Sequence, residues 1–230
     1  MKDMNAEYGL IFDVDGLVAD TEPLNARVTI RVLDAMFGLK GVTYEDFAAG
    51  YGKGAEAYVK AGARSHSLEL TDEQAEAAAK VREQYLTEAV RAEGLPAFPG
   101  VLDLMHDALT QDGFQLAIAT SATRELSEAI LEAVKVPYGR MVYVSGSDVT
   151  TKKPDPQIFL IAARRLGMEA AHCVVFEDAP SGVQAAKSAG AKCIAVTNTV
   201  SAEDLSGADI ICDSLEHVDL EMLRELISSS

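Results

Sequence analysis

The sequence predicts an α/β fold in which a doubly wound, Rossmann-like parallel-sheet core carries an inserted α-helical cap domain, and three observations lead there. A short, continuous apolar run followed by a turn and an amphipathic, helix-length stretch recurs along most of the chain. Strands that are apolar on both faces and alternate with helices belong to parallel sheets covered on both sides. The rhythm breaks once, between the first apolar run and Pro96, where no strand pattern occurs. Finally, acids, hydroxyls and a lysine collect just after the apolar runs, at the carboxyl ends of strands, where α/β sheets present their ligands.

The expected strands are Tyr8 to Phe12, Phe114 to Ala119, Met141 to Ser145, Cys173 to Phe176, Lys192 to Val196 and Asp209 to Cys212. Helices are expected around Val101 to Gln111, Arg124 to Val134, Gln157 to Leu166, Ser181 to Ala189 and Leu220 to Ile227. In the interrupting segment Leu24, Val28, Val32 and Met36 recur every four residues after Thr21-Glu22-Pro23, a helix start with an acid and a proline in its first turn. Thr43 with Asp46, and Thr71 with Gln74, have capping-box spacing and predict two more helix starts. Ala75, Ala78, Ala79, Leu86 and Val90 then form one apolar stripe. Arg82 interrupts that stripe and is expected to pack its stem while its head reaches solvent. Two prolines in Leu95 to Gly100 mark the return to the core. The expected division is therefore residues 1–18 and 97–230 for the core and 19–96 for the cap, a block of roughly 75 residues. Such a block reads as a lid with hinges near Ala19 and Leu95, or as helices that cover one sheet face.

Nearly half of the 230 residues are apolar, enough for a packed globule. A formal net charge of −16 repels phosphate backbones and anionic lipid, which argues against a nucleic-acid or membrane-surface partner. No stretch approaches the roughly 20 apolar residues of a spanning helix, and a cytoplasmic protein is expected. Cys173, Cys193 and Cys212 lack metal spacing and lie in or beside apolar runs, so buried free thiols are expected. None of His66, His106, His172 and His217 adjoins a motif or pairs at metal-ligand spacing.

The first strand runs into Asp13-Val14-Asp15-Gly16. In an extended chain side chains two apart share a face, so these carboxylates converge unless the chain turns between them; a plain acidic turn is the competing reading. Thr120-Ser121 follow the second strand, where helix-start amides also face a phosphate. Lys152-Lys153-Pro154 follow the third strand and Glu177-Asp178 the fourth, with Gly182 soon after. Each of these alone is an ordinary cap or solvated turn. Together they supply acids for a hard cation such as Mg²⁺, a hydroxyl, and a lysine that shields the charge of a phosphoryl group from an attacking carboxylate.

The order DVDG, LAIATS, KKPDPQIF and VVFEDAPSGV resembles the four motifs of the haloacid dehalogenase superfamily, within it the β-phosphoglucomutase and phosphatase branch, over essentially the whole chain. The resemblance implies that Asp13 is the nucleophile that becomes an aspartyl phosphate. It implies that Asp15 is the general acid and base and lends its backbone carbonyl to the metal. Thr120, assisted by Ser121, would hold the phosphoryl oxygens, and Lys153 would pair with nucleophile and phosphate. Glu177 and Asp178 would complete a Mg²⁺ site with Asp13 and Asp15.

Dehalogenases of the superfamily lack the second acid and the metal, and phosphonoacetaldehyde-type hydrolases also lack that acid, so neither matches. Sugar phosphomutases of the branch carry a histidine where Asn25 follows Asp20-Thr21-Glu22-Pro23-Leu24, and that stretch is similar to phosphatases acting on small sugar or polyol phosphates. The expectation is therefore a Mg²⁺-dependent, monomeric phosphatase of a small phosphorylated metabolite. A mutase is the alternative, and a non-catalytic binding protein on the same fold is the second. In the cap, Asn25 and Lys53 are the candidate substrate residues, Lys53 because its glycine-rich turn resembles the family's substrate loop; an exposed lysine without a role is the competing reading.

Overall fold

The computed structural model describes residues 7–51 and 54–229. In chain order its elements are β1 (Tyr8–Phe12), α1 (Glu22–Phe37), α2 (Ala55–Arg64), α3 (Asp72–Glu93), α4 (Val101–Thr110), β2 (Phe114–Ala119), α5 (Arg124–Ala133), β3 (Val142–Val144), α6 (Gln157–Leu166), β4 (Cys173–Glu177), α7 (Pro180–Ala189), β5 (Lys192–Val196), β6 (Ile210–Cys212) and α8 (Leu220–Ser228). They form two compact units, one of the chain up to Asp20 together with the chain from Pro96 onward, the other Thr21–Leu95.

The first unit is a six-stranded sheet of order β3-β2-β1-β4-β5-β6, parallel throughout. This is the doubly wound order, and the direction of winding reverses between β1 and β4. Ile11, Ala117, Ala119, Cys173, Val175, Cys193 and Ala195 share one face and pack on Phe159, Ala162 and Leu166 of α6 and Val183 and Ala186 of α7. The alternating residues Leu10, Phe12, Leu116, Ile118, Val174, Phe176 and Ile194 are equally buried and point to the opposite face. There α4 packs against β2 and α8 against β4. Phe12 and Phe176, paired across β1 and β4, stack with ring centroids 4.5 Å apart.

Two strands are shorter than the apolar runs that predicted them. Edge strand β3 stops at Val144 because Ser145 leaves the ladder to cap a 3-10 turn over Gly146–Asp148, its hydroxyl accepting from the Ser147 amide at 3.3 Å. On the other edge, Asp209 precedes β6 and its carboxylate instead accepts from the Cys193 amide at 2.7 Å. Cys173 and Cys193 are buried free thiols as expected, but Cys212, on edge strand β6, is only half-buried.

Every regular element within the described residues of Thr21–Leu95 is helical. Helix α1 starts with Pro23 in its first turn and ends at Gly38, whose φ of 65° satisfies the left-handed cap. Thr71 and Gln74 form the capping box that starts α3. The Thr43–Asp46 box also forms, but it opens a 3-10 segment over Tyr44–Gly50 rather than an α-helix. Met36, expected on the apolar stripe of α1, is exposed at the helix end.

Arg82 departs furthest from expectation. Its side chain does not reach solvent: the residue is 7% exposed. Its guanidinium donates to Thr29 Oγ1 at 2.9 Å and Asn25 Oδ1 at 2.7 Å and lies 5.1 Å from the Tyr58 ring centroid. Asn25 in turn donates to Thr21 Oγ1 at 3.4 Å, and the Tyr58 hydroxyl donates to Glu22. A buried guanidinium needs such acceptors to offset desolvation, and two of them, Asn25 and Thr29, lie one turn apart on α1. Arg82→Leu strips donors from Asn25 and Thr29 while keeping apolar volume, and we expect a loss of about 1–3 kcal/mol in urea unfolding of the full chain. An unchanged midpoint would mean that this network adds nothing net to stability.

Candidate active site

Four chain segments meet at the carboxyl end of the sheet around its switch point. Asp13 directly follows β1, and its amide donates to the Phe176 carbonyl at 3.1 Å, which fixes it beside β4. Glu177 is the last residue of β4 and Asp178 follows it. Lys153 arrives from the segment after β3, its Nζ donating to Asp13 Oδ1 at 2.5 Å and Glu177 Oε1 at 2.6 Å and lying 3.5 Å from the Ala119 carbonyl at the end of β2. The same Nζ is 4.9 Å from the Phe159 ring centroid, so α6 walls the ammonium on one side.

Asp13, Lys153, Glu177 and Asp178 are thus brought together, all nearly buried. Glu177 is the most engaged: its Oε2 accepts from the amides of Asp178 and Ala179, at 3.0 and 3.1 Å, where α7 begins. Gly182 makes room for it, since a Cβ there would fall 1.9 Å from the Glu177 carboxyl group.

Thr120 is 1% exposed; its amide donates to the Val144 carbonyl at 3.1 Å and its hydroxyl accepts from the Ala122 amide at 3.1 Å. Ser121 is exposed, and its carbonyl lies so close to Gly146 that a Cβ there would approach to 2.3 Å. Past Asp13 the strand geometry ends. The Val14 carbonyl accepts from the amides of Val18 and Ala19, and Gly16 takes a φ of 80°. The chain therefore turns after Asp13, so the shared-face reading of Asp13 and Asp15 does not apply, and half-buried Asp15 stands outside the carboxylate cluster. In the helical unit Asn25 is buried and held by Arg82 and Thr21, and Lys53 lies outside the described residues.

Among the described residues, Asp13, Glu177 and Asp178 each offer a carboxylate oxygen within 4.8 Å of the others. An all-oxygen, anionic donor set of this kind fits a hard divalent cation. Electrostatics point the same way, because three carboxylates face one ammonium. Burial, reinforced by Glu177 and Asp15 and opposed by Lys153, pushes the Asp13 carboxyl up to about 7. Burial, with Glu177 and Asp13 as neighbouring charges, also holds Asp178 well above the usual carboxylate range. Lys153 is opposed by the same burial, yet Asp13 and Glu177 keep its pKa above the ordinary lysine value. The pocket retains its cation and lacks positive charge for its acids.

Motif reading passed over Asn198 and Thr199, which follow β5. The criterion that found the other residues, polar groups just past an apolar run, also singles these out. Thr199 Oγ1 lies 2.9 Å from the Asp178 carbonyl and 2.5 Å from its Oδ2, and Asn198 Nδ2 donates to the Gly16 carbonyl at 2.8 Å.

A family model described as haloacid dehalogenase-like hydrolase matches residues 10–196. Validoxylamine A 7'-phosphate phosphatase from Streptomyces hygroscopicus subsp. limoneus is 32% identical over 214 residues, 90% of this chain and 94% of that protein. Hexitol phosphatase A from Escherichia coli K12 is 30% identical over 211 residues, covering 91% and 92%. Among solved structures, CbbY from Rhodobacter sphaeroides in complex with phosphate superposes with a TM-score of 0.81 at 26% identity, covering 94% of this chain and 98% of that one. The chain also spans 20% of a much longer Arabidopsis thaliana relative, 34% identical over 214 residues.

The raised Asp13 pKa makes stability fall as pH rises. A folded-state pKa above the unfolded value contributes stability below the unfolded pKa that is lost as pH rises through the folded one. Without divalent cations, Asp13→Asn should therefore gain on the native chain from about pH 4 to about pH 8, by on the order of 2–4 kcal/mol. Urea unfolding in chelator across that range checks this; a difference that is flat or falls with pH would contradict it.

Proposed function

The chain belongs to the haloacid dehalogenase-like hydrolase family, and from that footing we propose that it is a Mg²⁺-dependent phosphatase of a small sugar or polyol phosphate, acting through an aspartyl phosphate on Asp13. It is a phosphoric monoester hydrolase. One observation carries the reading: the buried Asp13 carboxylate touches Lys153 and shares a 4.8 Å cluster with Glu177 and Asp178 at the switch point of the sheet.

In the first step an Asp13 carboxylate oxygen attacks phosphorus, the bond from phosphorus to the leaving oxygen breaks, and Asp15 gives that oxygen its proton. In the second, Asp15 takes a proton from water, the water oxygen attacks phosphorus, and the bond to Asp13 breaks to release inorganic phosphate. Lys153 neutralises charge on Asp13 and the phosphoryl group without moving a proton, since two carboxylates hold its own. Thr120 and Ser121 hold phosphoryl oxygens from the end of β2, where helix-start amides add further donors. Asp13, Glu177 and Asp178, with the Asp15 carbonyl, would hold Mg²⁺, which when bound supplies the positive charge that lets an anionic nucleophile meet an anionic ester. Low dielectric around the buried carboxylates strengthens each of these interactions.

The substrate class rests on the hexitol phosphatase and the validoxylamine A 7'-phosphate phosphatase among the relatives. Phosphate release from a panel of sugar, polyol and nucleotide monoesters should occur with Mg²⁺ and stop on chelation. Asp13→Asn and Lys153→Met should each lower kcat/KM by at least about 10³-fold. A native chain silent across the panel, or an Asp13→Asn chain that keeps its rate, defeats the proposal. Conversion of glucose 1-phosphate to glucose 6-phosphate with a bisphosphate primer would instead identify a mutase.

A further inference from the structure

The parallel pairing of β4 and β5 sets Glu177 opposite Ala195. The chain leaving β5 therefore passes beside Asp178, and the Thr197 amide, donating to the Cys212 carbonyl at 3.0 Å, ties that segment to the end of β6. From it Thr199 Oγ1 reaches both the carbonyl and the Oδ2 of Asp178, at 2.9 and 2.5 Å. A hydroxyl has one proton, so the two acceptors share it and hold the carboxylate in one orientation relative to its own backbone. Asn198 grips the other side of the same contact through its 2.8 Å bond to the Gly16 carbonyl. Gly16 is packed against both: a Cβ there would fall 2.0 Å from Asp178 Oδ2 and 2.9 Å from Thr199 Cγ2. Three strand ends, those of β1, β4 and β5, are closed on one another through this contact.

We propose that Thr199 and Asn198 are positioning residues, Thr199 aiming the Asp178 carboxylate for a divalent cation and Asn198 fixing the turn that carries Asp15. This rests on the reading of Asp178 as a metal ligand. Ligating carboxylates are themselves oriented by hydrogen bonds, and loss of such a partner typically costs 10- to 100-fold in metal affinity. Neither residue touches a reacting atom, so loss of Thr199 should appear in metal affinity and loss of Asn198 in kcat, and neither in KM for the phosphate ester.

The experiment is Mn²⁺ binding to the full chain, followed by electron paramagnetic resonance of free Mn²⁺, beside Mg²⁺ activation of phosphate release. Thr199→Val, which keeps shape and removes the hydroxyl, should weaken Mn²⁺ binding by about 10-fold or more and raise the half-activating Mg²⁺ concentration in parallel, with KM for the ester unchanged. Thr199→Ser should restore both to within about 3-fold of the native chain. Asn198→Ala should lower kcat more than it weakens Mn²⁺ binding. If Thr199→Val does not fold, Thr199→Ala takes its place, with Thr199→Ser as its rescue. Native-like Mn²⁺ affinity in a folded chain lacking the hydroxyl overturns the positioning role and leaves the phosphatase reading standing; a native chain that neither binds Mn²⁺ nor releases phosphate overturns both.

Discussion

Three carboxylates and one ammonium are buried together at the switch point of the sheet, and much of the surrounding structure serves to make that tolerable. Burying a charge is costly unless it is paired and hydrogen-bonded. Glu177 is satisfied on both oxygens, by Lys153 and by two amides at the start of α7, and it anchors the lysine. Asp13 and Asp178 are less fully compensated, and burial drives both toward the protonated form. Protons can balance them at rest, and a divalent cation balances them with the carboxylates ionised. A nucleophile must be ionised to attack, so the same imbalance that strains the resting site makes it receptive to a metal.

The doubly wound order makes this crowding possible. Because β1 and β4 are neighbours at the point where the winding reverses, the chain leaves them in opposite directions and opens a crevice into which both strand ends project acids. Continuous apolar strands, pinned by register and by pairs such as the stacked Phe12 and Phe176 rings, give the crevice a rigid floor. Close approach then depends on residues without side chains. Gly16 leaves space for Asp178, Gly146 for the Ser121 carbonyl and Gly182 for Glu177, each where a Cβ would lie within 2.3 Å of the neighbouring group. Small residues at these points are part of the electrostatic design, since they let charged groups and backbone dipoles come within bonding distance.

The helical unit solves a similar problem on a smaller scale. Arg82 is buried among Asn25, Thr29 and the Tyr58 ring, and Glu22 accepts from the Tyr58 hydroxyl. Polar groups that satisfy one another in this way fix the mutual rotation of α1, α2 and α3 more strictly than an alanine stripe can, because a hydrogen bond has direction and an apolar contact does not. Asn25 is thereby occupied within its own unit.

What the sequence determined by itself was local and periodic. Continuous apolar runs located the six strands of the sheet, and helical spacing with Pro23 in a first turn and a capping box at Thr71 located α1 and α3, since each signal depends on neighbours within a turn or a pleat. The polar residues following those runs marked Asp13, Asp15, Thr120, Ser121, Lys153, Glu177 and Asp178 as one candidate set, because a parallel sheet puts the carboxyl ends of its strands at one edge. Tertiary structure decided what those residues touch. Lys153 and Asp13 are 140 positions apart, and Asn198 and Gly16 are 182 apart, so no local pattern pairs them. It turned the chain after Asp13 and took Asp15 out of the carboxylate cluster, trimmed the edge strands where only one neighbour holds them, and drew the Arg82 head inward to acceptors on another helix. Periodicity reports which face of an element is buried; which buried polar group meets which depends on the register of strands and the rotation of helices, and those are fixed only when the elements pack.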